Sequence, residues 1–362
     1  MKLGIVGLPS AGKTTIFNAL TKGDAPTGQS MGGRFDVLTA VVDVHDPRVD
    51  VLSEMFNPKK TTYAKITYTD IAGLQKGANE SGSMSGALLN HLSGLDGFVH
   101  VVRAFESDLV PHMDGSVDPV RDLEALDTEF LLTDLGIVER RREKLEESLK
   151  RGIAKDKQAA QIELALFQQL EETLMAERPL RSMELTEEQL KSLRGYGLLT
   201  LKPTLVVINI GDDQDEVMLD YSYPQTMVTN LRGKLEMELA QLSAAGDEES
   251  LQMFMEEYDV KELSLDKVIR LSYDLMGLQS FFTVGEDEVR AWTIPVGATA
   301  VDAAAAIHTD LAKGFIRAET VAYDTLIEAG SMAAVRSAGK LRQEGKTYIV
   351  QDGDIINIKF NV

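Results

Sequence analysis

The chain has 362 residues, 44% hydrophobic and 26% charged, which is typical of a globular protein with room for two or three domains. A net charge of −20 excludes attraction to nucleic acid through overall charge, so free DNA is not an expected partner. The absence of cysteine excludes disulfides and thiolate metal sites, and no apolar run approaches the roughly 18–20 residues that span a bilayer. No signal-peptide pattern precedes the first motif, so the expected location is the cytoplasm, with no membrane contact.

The first motif follows the short apolar run MKLGIV and reads GLPSAGKTT, from Gly7 to Thr15. Its Gly-x-x-x-x-Gly-Lys-Thr spacing is that of a phosphate-binding P-loop, in which glycines allow backbone N–H groups to surround an anion. A helix predicted over 13–21 adds its N-terminal partial positive charge. We expect Lys13 to reach the β- and γ-phosphates, where it assists catalysis, and the Thr14 hydroxyl to bind Mg²⁺. The expected nucleotide-binding residues of this motif are Ser10, Ala11, Gly12, Lys13, Thr14 and Thr15.

Strand-like runs alternate with helical ones in the first half of the chain, a rhythm typical of an α/β sheet. These strand-like runs cover 63–71, 98–102 and 204–210. Between the last two lies a long segment rich in Leu, Glu, Lys, Arg and Gln, with apolar residues at helical spacing. It predicts two long helices that form an inserted hairpin and turn near Gly152.

The segment after Gly277 predicts a small β-grasp module, because short strands surround one alanine-rich helix. The expected elements are strands at 288–294 and 316–323, a helix at 300–311, and strands at 348–350 and 355–360 around a hairpin turn at 351–354. The fold class is therefore α/β. We expect a P-loop NTPase (G-domain) sheet from 1–118 and 200–277, an inserted α-helical hairpin at 119–199, and a C-terminal β-grasp domain at 278–362.

The D-x-x-G element of a nucleotide switch occurs at Asp70 to Gly73, at the predicted end of a strand and 56 residues after Thr14. There Asp70 can hold Mg²⁺ through a water, and the Gly73 N–H can contact the γ-phosphate. The next residue is Leu74, where Ras-type enzymes place the glutamine that orients the attacking water. A leucine makes no hydrogen bond, so either hydrolysis is slow or another residue positions the water.

A base-recognition element follows the predicted strand at 204–210, where guanine-specific enzymes have N-K-x-D. Asn209 and Asp212 are present, and Ile210 replaces the lysine. A carboxylate at Asp212 could accept the N1–H and N2–H₂ donors of guanine, which adenine lacks. The alternative is that both residues are ordinary polar residues of a loop.

Two segments are locally basic, although the chain as a whole has a negative net charge. Residues 139–157 hold eight Lys or Arg against five acids, and 335–346 hold four against one. Each can contact nucleic acid, or it can be a solvated helix face.

Together these residues resemble the YchF branch of the Obg-related P-loop NTPases from end to end. The motifs that carry the resemblance, beyond the P-loop, are DIAGL at 70–74, HVVRAFE at 100–106, DGSVDP at 114–119, VRAWTIPVGATA at 289–300, IHTDLAKGFIRAE at 307–319 and GKTYIVQDGDIINIKFNV at 345–362. The resemblance implies a TGS domain at the C-terminal end. It also implies an NTPase that often prefers ATP over GTP, associates with the ribosome (large subunit or 70S) and acts in translation or stress response.

The family also supplies a histidine in place of the missing glutamine, and the matching residue is His112 in LVPHMDG. From the residues alone, a lone histidine in a loop is more often structural. The chain departs from the family at Ser10, where asparagine is usual and bears on potassium-assisted hydrolysis, and at Asp212, where glutamate is usual. A third departure is Arg34, which stands where a switch threonine usually binds magnesium.

Two function classes remain open at this point. Lys13, Thr14, Asp70 and Gly73 favour a slow hydrolase acting on the γ-phosphate of ATP or GTP. Leu74 and the altered switch favour a nucleotide-binding ribosomal partner with little or no hydrolysis.

Overall fold

The computed structural model describes residues 1–25, 37–71, 84–153, 156–258, 260 and 264–361. The chain forms two compact units, one from Met1–Ala40 with Thr67–Leu265 and one from Val41–Ile66 with Asp266–Val362. The three-domain division with boundaries at 119, 200 and 278 stays a prediction. Within the described residues, no helix has both the length and the apolar character to cross a bilayer.

The strands alternate with helices through much of the chain. The strands are β1 Lys2–Val6, β2 Val37–Val44, β3 Lys60–Thr62, β4 Ala64–Ile71, β5 Gly97–Arg103, β6 Thr204–Asn209, β7 Thr226–Leu231, β8 Leu278–Thr283, β9 Glu288–Pro295, β10 Phe315–Ala322, β11 Arg342–Glu344 and β12 Asp354–Phe360. The helices are α1 Lys13–Thr21, α2 Pro47–Phe56, α3 Gly86–Ser93, α4 Pro119–Lys150, α5 Lys157–Met175, α6 Glu187–Leu193, α7 Gly233–Ala245, α8 Glu248–Glu257, α9 Ser264–Leu275, α10 Ala300–Ile307, α11 Thr309–Lys313, α12 Tyr323–Ala329 and α13 Met332–Ser337. The α/β class predicted from the sequence is confirmed.

The first sheet has the strand order β2-β4-β1-β5-β6-β7. Strand β1 pairs in parallel with β4 and β5, and β6 pairs in parallel with β5 and β7. Because the carboxyl ends of parallel strands meet at one edge of a sheet, the segments that follow β1, β4, β5 and β6 leave from the same edge. This edge gathers the P-loop, Asp70, the loop that carries His112, and Asn209.

The predicted helical hairpin is confirmed, with α4 of 32 residues packed against α5 of 19. The turn between them contains Gly152 at φ +68°, a left-handed conformation that glycine adopts without steric cost. Asp118 caps α4 by accepting hydrogen bonds from the N–H groups of Val120 and Arg121. Farther along α4, the buried carboxylate of Asp134 accepts hydrogen bonds from the segment that returns to the sheet.

The second sheet has the order β11-β10-β12-β8-β9-β3. Its edge strand β3 comes from the 41–66 segment and pairs in parallel with β9, with Lys60 opposite Glu288. From the same segment, Arg48 at the start of α2 donates a 2.7 Å hydrogen bond to Asp352, before β12. The N-terminal segment 41–66 is therefore built into the C-terminal unit.

Two predictions for the C-terminal segment are wrong. The helix expected at 300–311 is two helices, because His308 is extended and its Nδ1 accepts the Asp310 N–H that begins α11. Residues 348–350 make only an isolated bridge from Ile349 to Thr299, so no hairpin forms at 351–354. The reason is Asp354, whose buried carboxylate accepts hydrogen bonds from Tyr348 and from the Gln351 N–H and closes this stretch into a loop.

Candidate functional site

The P-loop lies between β1 and α1, in the position that its sequence predicts. Gly7 and Gly12 have φ values of +151° and +94°. A Cβ at Gly7 would lie 2.3 Å from the Val101 carbonyl oxygen, and one at Gly12 would lie 2.2 Å from the Asn209 Nδ2. Both glycines are required because the loop combines positive φ with close packing.

The other residues assigned to this loop lie between β1 and the first turn of α1. Ser10 is exposed at φ +63°, and Ala11 is buried at 2% exposure. Thr15 lies half-buried in the first turn of α1. Because α1 begins at Lys13 without a side-chain cap, the N–H groups of its first turn remain available to an anion.

Lys13, Thr14 and Asp70 meet at the carboxyl edge of the sheet. The Lys13 ammonium donates hydrogen bonds to the carbonyl oxygens of Gly7 at 3.0 Å and Leu8 at 2.9 Å. Burial lowers the pKa of Lys13 to about 8, and the Asp70 carboxylate opposes that shift. The ammonium is therefore held at the mouth of the loop by neutral carbonyls, which a charged phosphate oxygen can replace.

Asp70 is 3% exposed and is the second-last residue of β4. Its Oδ2 accepts a 2.7 Å hydrogen bond from the Thr14 hydroxyl, whereas its buried Oδ1 has no hydrogen-bond partner among the described residues. Burial raises the pKa of Asp70, and the Thr14 hydrogen bond and Lys13 oppose the shift. An unpartnered carboxylate oxygen beside a threonine hydroxyl is the hard oxygen donor set that Mg²⁺ prefers.

Asn209 ties two backbone segments together at the end of β6. Its side chain is 3% exposed, donates to the Ala11 carbonyl at 3.0 Å and accepts from the Gly233 N–H at 3.1 Å. Both ends of the amide are thus occupied by protein backbone. In this structure Asn209 braces the P-loop against the start of α7.

Asp212 lies in the loop after β6, with its side chain 24% exposed. Its Oδ1 is buried without a hydrogen-bond partner in the described part of the chain, and its Oδ2 lies 3.9 Å from the Lys234 ammonium. The sequence motifs do not identify Gly233 and Lys234, which contact Asn209 and Asp212, as residues of this site. The only signal for them was that α7 starts directly after a strand of the parallel sheet.

His112 lies in the loop between β5 and α4, with its side chain 7% exposed. Its Nε2 lies 2.7 Å from Asp122 Oδ2, and its Nδ1 accepts the Asp114 N–H at 3.1 Å. Arg121 donates to the other oxygen of Asp122 at 2.8 Å. No motif in the sequence marks Asp122 or Arg121, and the catalytic role of His112 stays a prediction.

Gly73, Leu74 and Arg34 lie outside the described residues, as does Lys155 of the first basic segment. The rest of that segment divides into two groups. In the first group, Arg141 forms an ion pair with Glu163 at 2.7 Å and Arg142 with Glu171 at 2.8 Å, so both join α4 to α5, and Arg151 pairs with Glu147. The exposed members that form no ion pair with the described residues are Arg140, Lys144, Lys150 and Lys157.

Comparisons with known proteins cover the whole chain. The C-terminal model of the YchF GTPases, described as a protein of unknown function, matches residues 278–361, and a model described as a 50S ribosome-binding GTPase matches 2–132. The chain is 42% identical to the "Ribosome-binding ATPase YchF" of Bacillus subtilis, over 99% of both chains. It is 37% identical to "Obg-like ATPase 1" of Caenorhabditis elegans, over 100% of this chain and 92% of the relative.

A solved structure is similar over nearly its full length. This is the YchF GTPase of Schizosaccharomyces pombe, with a TM-score of 0.84 and 32% identity. The match covers 99% of this chain and 97% of the yeast chain. The similarity therefore includes the helical hairpin and the C-terminal sheet as well as the P-loop.

Proposed function

The chain belongs to the YchF family of P-loop nucleoside triphosphatases, and we propose that it hydrolyses ATP slowly with Mg²⁺ while bound to the ribosome. The observation that carries this proposal is the meeting of Lys13, Thr14 and Asp70 behind a P-loop whose glycines have the required conformations. Relatives of near-equal length are named ribosome-binding ATPases, which supports ATP and the ribosome as partners. The role that follows is that of a translation- or stress-related regulator in the cytoplasm.

Magnesium fits the donor set at the end of β4. Thr14 Oγ1 would bind the ion directly, and the unpartnered Asp70 Oδ1 would hold it through a water. Bound there, Mg²⁺ would supply positive charge that offsets the negative charge of the phosphates. The raised pKa of Asp70 supports the same fit, because a buried carboxylate without a cation is costly.

The chain's own groups bind and orient the triphosphate. Backbone N–H groups of the loop and of the first turn of α1 would donate to the phosphates, and Lys13 would exchange its two carbonyl acceptors for charged oxygens, which make stronger hydrogen bonds. Hydrolysis forms a bond between the water oxygen and the γ-phosphorus and breaks the bond to the β,γ-bridging oxygen. The nucleoside diphosphate, phosphate and a proton are released.

We infer that His112 supplies the water-positioning group that Leu74 lacks. The loop that carries it leaves the same edge of the sheet as the P-loop and Asp70. An imidazole nitrogen with a free lone pair can accept a hydrogen bond from the attacking water. In this structure both ring nitrogens have partners, so His112 must release one of them to act.

Base preference rests on Asp212 and on backbone groups. The buried, unpartnered Oδ1 of Asp212 would favour the N–H donors of guanine if it faced the base, whereas Lys234 neutralises part of its charge. Relatives named as ATPases support adenine. We propose ATP with only weak discrimination against GTP.

The ribosome contact is assigned to exposed basic side chains. Those of the hairpin are Arg140, Lys144, Lys150 and Lys157, and those of the C-terminal unit are Arg336, Lys340, Arg342 and Lys346. Exposed, largely unpaired cations attract the phosphates of ribosomal RNA even on an acidic protein. The large subunit or the 70S ribosome is the proposed partner.

A second candidate is a nucleotide-dependent ribosomal partner that barely hydrolyses. The observation that favours it is the enclosure of His112, whose ring nitrogens are both hydrogen-bonded in this structure. In that case the triphosphate would order the protein for binding, with little turnover.

Single-turnover hydrolysis of ATP and GTP, with and without ribosomes, separates the two functions. Slow cleavage of ATP supports the hydrolase, and binding without cleavage under every condition leaves the second candidate. Lys13→Ala is the control, and it should weaken triphosphate binding by about 2 kcal/mol or more, the typical strength of hydrogen bonds to charged groups. Unchanged calorimetric affinity in this variant would contradict the P-loop assignment.

A further inference from the structure

The imidazole of His112 is enclosed by the first turn of α4. Nε2 lies 2.7 Å from Asp122 Oδ2, and the two side chains are 7% and 4% exposed. On the other side of the ring, Nδ1 faces the Asp114 N–H at 3.1 Å and an N–H of Arg121 at 3.4 Å. The histidine is thus held between an acceptor and two donors.

These partners determine which nitrogen carries the proton. Because N–H groups approach Nδ1, this nitrogen must supply a lone pair, and the proton resides on Nε2. Nε2–H then donates to the carboxylate of Asp122, which is acceptor-only when ionised. The arrangement selects the Nε2–H tautomer. In this tautomer the lone pair that can accept a hydrogen bond is on Nδ1.

Asp122 is itself fixed in place. It lies in the first turn of a 32-residue helix whose N-terminus is capped by Asp118. Arg121 donates to its Oδ1 from Nε at 3.0 Å and from Nη2 at 2.8 Å, and also donates to the Ser116 carbonyl at 2.9 Å. A charged partner that donates two hydrogen bonds holds this buried carboxylate in its orientation.

We propose that Asp122 is the positioning residue of His112, fixing the tautomer whose Nδ1 accepts the hydrogen bond of the attacking water. The inference rests on the proposed water-positioning role of His112. The loop needs to open only on the Nδ1 side, where the hydrogen bond from the Asp114 N–H and the 3.4 Å contact with Arg121 are lost, while the bond to Asp122 is kept. Asp122 acts through His112 and touches no substrate, as the carboxylate of a catalytic triad acts through its histidine.

A bound cation is the competing interpretation of the same cluster. One ligand atom from each of His112, Asp114 and Asp122 lies within 4.8 Å of the others. However, the guanidinium of Arg121 already occupies Asp122 Oδ1 and lies 3.8 Å from Asp114. Arg121 therefore supplies the positive charge that a bound cation would otherwise bring to these two carboxylates.

Asp122→Asn tests the proposal in the full-length protein, because it keeps the shape of the side chain and removes its charge. We expect the single-turnover rate with saturating ATP to fall by about tenfold or more, up to the roughly 10²–10⁴-fold that a positioned acid–base group itself contributes, while the dissociation constant for ATP stays the same. Asp134→Asn is the matched control, since Asp134 is a fully buried carboxylate on the same helix and bonds only to 199–200 among the described residues. This control should keep the wild-type rate.

The combination with His112→Ala provides the sharper readout. If Asp122 acts only through His112, the double variant should hydrolyse at the rate of His112→Ala alone. Additive losses would overturn the proposal, as would a wild-type rate in Asp122→Asn. A wild-type rate in His112→Ala would instead remove the role of His112, whereas failure of the wild type to cleave ATP would remove the proposed hydrolase function.

A spectroscopic measurement keeps the proposal testable even if Asp122→Asn folds poorly. The chain has five histidines, so few signals are expected in long-range ¹⁵N–¹H spectra of protein labelled with ¹⁵N-histidine. The His112 signal is identified as the one that is missing from the spectrum of His112→Ala. The wild type should show the Nε2–H tautomer at His112. An Nδ1–H tautomer there would overturn the proposal directly.

Discussion

Replacing Asn209 by alanine tests whether this side chain holds the P-loop or reads the base. The change removes two buried hydrogen bonds, to the Ala11 carbonyl and from the Gly233 N–H. Each contributes about 0.5–1.5 kcal/mol net, and leaving buried partners unpaired adds to the loss. We expect the free energy of unfolding to fall by about 2–4 kcal/mol.

Nucleotide binding distinguishes the two roles of Asn209. If the side chain only braces Ala11 and the loop, Asn209→Ala should weaken ATP and GTP binding by the same factor, about tenfold for 1.4 kcal/mol. A base contact would instead change the ratio of the two affinities. Isothermal titration calorimetry with non-hydrolysable ATP and GTP analogues and Mg²⁺ measures both affinities, and urea unfolding measures the stability.

The matched control is Asn230→Ala. Asn230 also makes two side-chain hydrogen bonds to backbone, but both go to Val217, far in sequence from the P-loop. Because Asn230 and its two hydrogen bonds are only partly buried, this variant should lose less stability, and it should keep its nucleotide affinity. The reasoning is refuted if Asn209→Ala binds both nucleotides as tightly as the wild type, or if it alters one affinity at least tenfold more than the other.

Three further outcomes follow from the charges in the structure. Asp212→Ala should leave the calorimetric ratio of ATP to GTP affinity nearly unchanged, and a tenfold GTP preference that disappears in this variant would identify a guanine-reading site. Ribosome binding in sedimentation assays should weaken steeply with salt, and reversing Arg140, Lys144 and Lys150 to Glu should weaken it further, whereas salt-independent binding would indicate contacts with ribosomal proteins. Burial raises the pKa of Asp134 to about 6 from 3.8, so its contribution to stability is present below about pH 4 and is lost as the pH rises through 6. The free energy of unfolding of the wild type should therefore fall by about 3 kcal/mol over this pH range, at 1.36 kcal/mol per pKa unit, and that of Asp134→Asn should not. The same dependence of urea unfolding on pH in both proteins would contradict this prediction.

Some features of this protein are determined by residues that are close together in the chain. The helix at Lys13–Thr21 and the glycine conformations of the P-loop follow from a spacing of eight residues, and the hairpin follows from apolar residues at helical intervals. These predictions held because the deciding interactions are local, namely backbone angles, helix periodicity and caps. The same rules failed at 300–311 and 348–350, where single side chains, His308 and Asp354, redirect the backbone through hydrogen bonds.

Other features depend on residues that only folding brings together. Asn209 reaches Ala11 across 198 residues, and β3 joins β9 across more than 220. His112 and Asp122 are ten residues apart, yet their contact requires α4 to be fixed while the loop folds back over its first turn. A polar side chain in a loop carries no periodic signal, because its partner is set by burial: once water is excluded, each donor must find the acceptor that packing places beside it.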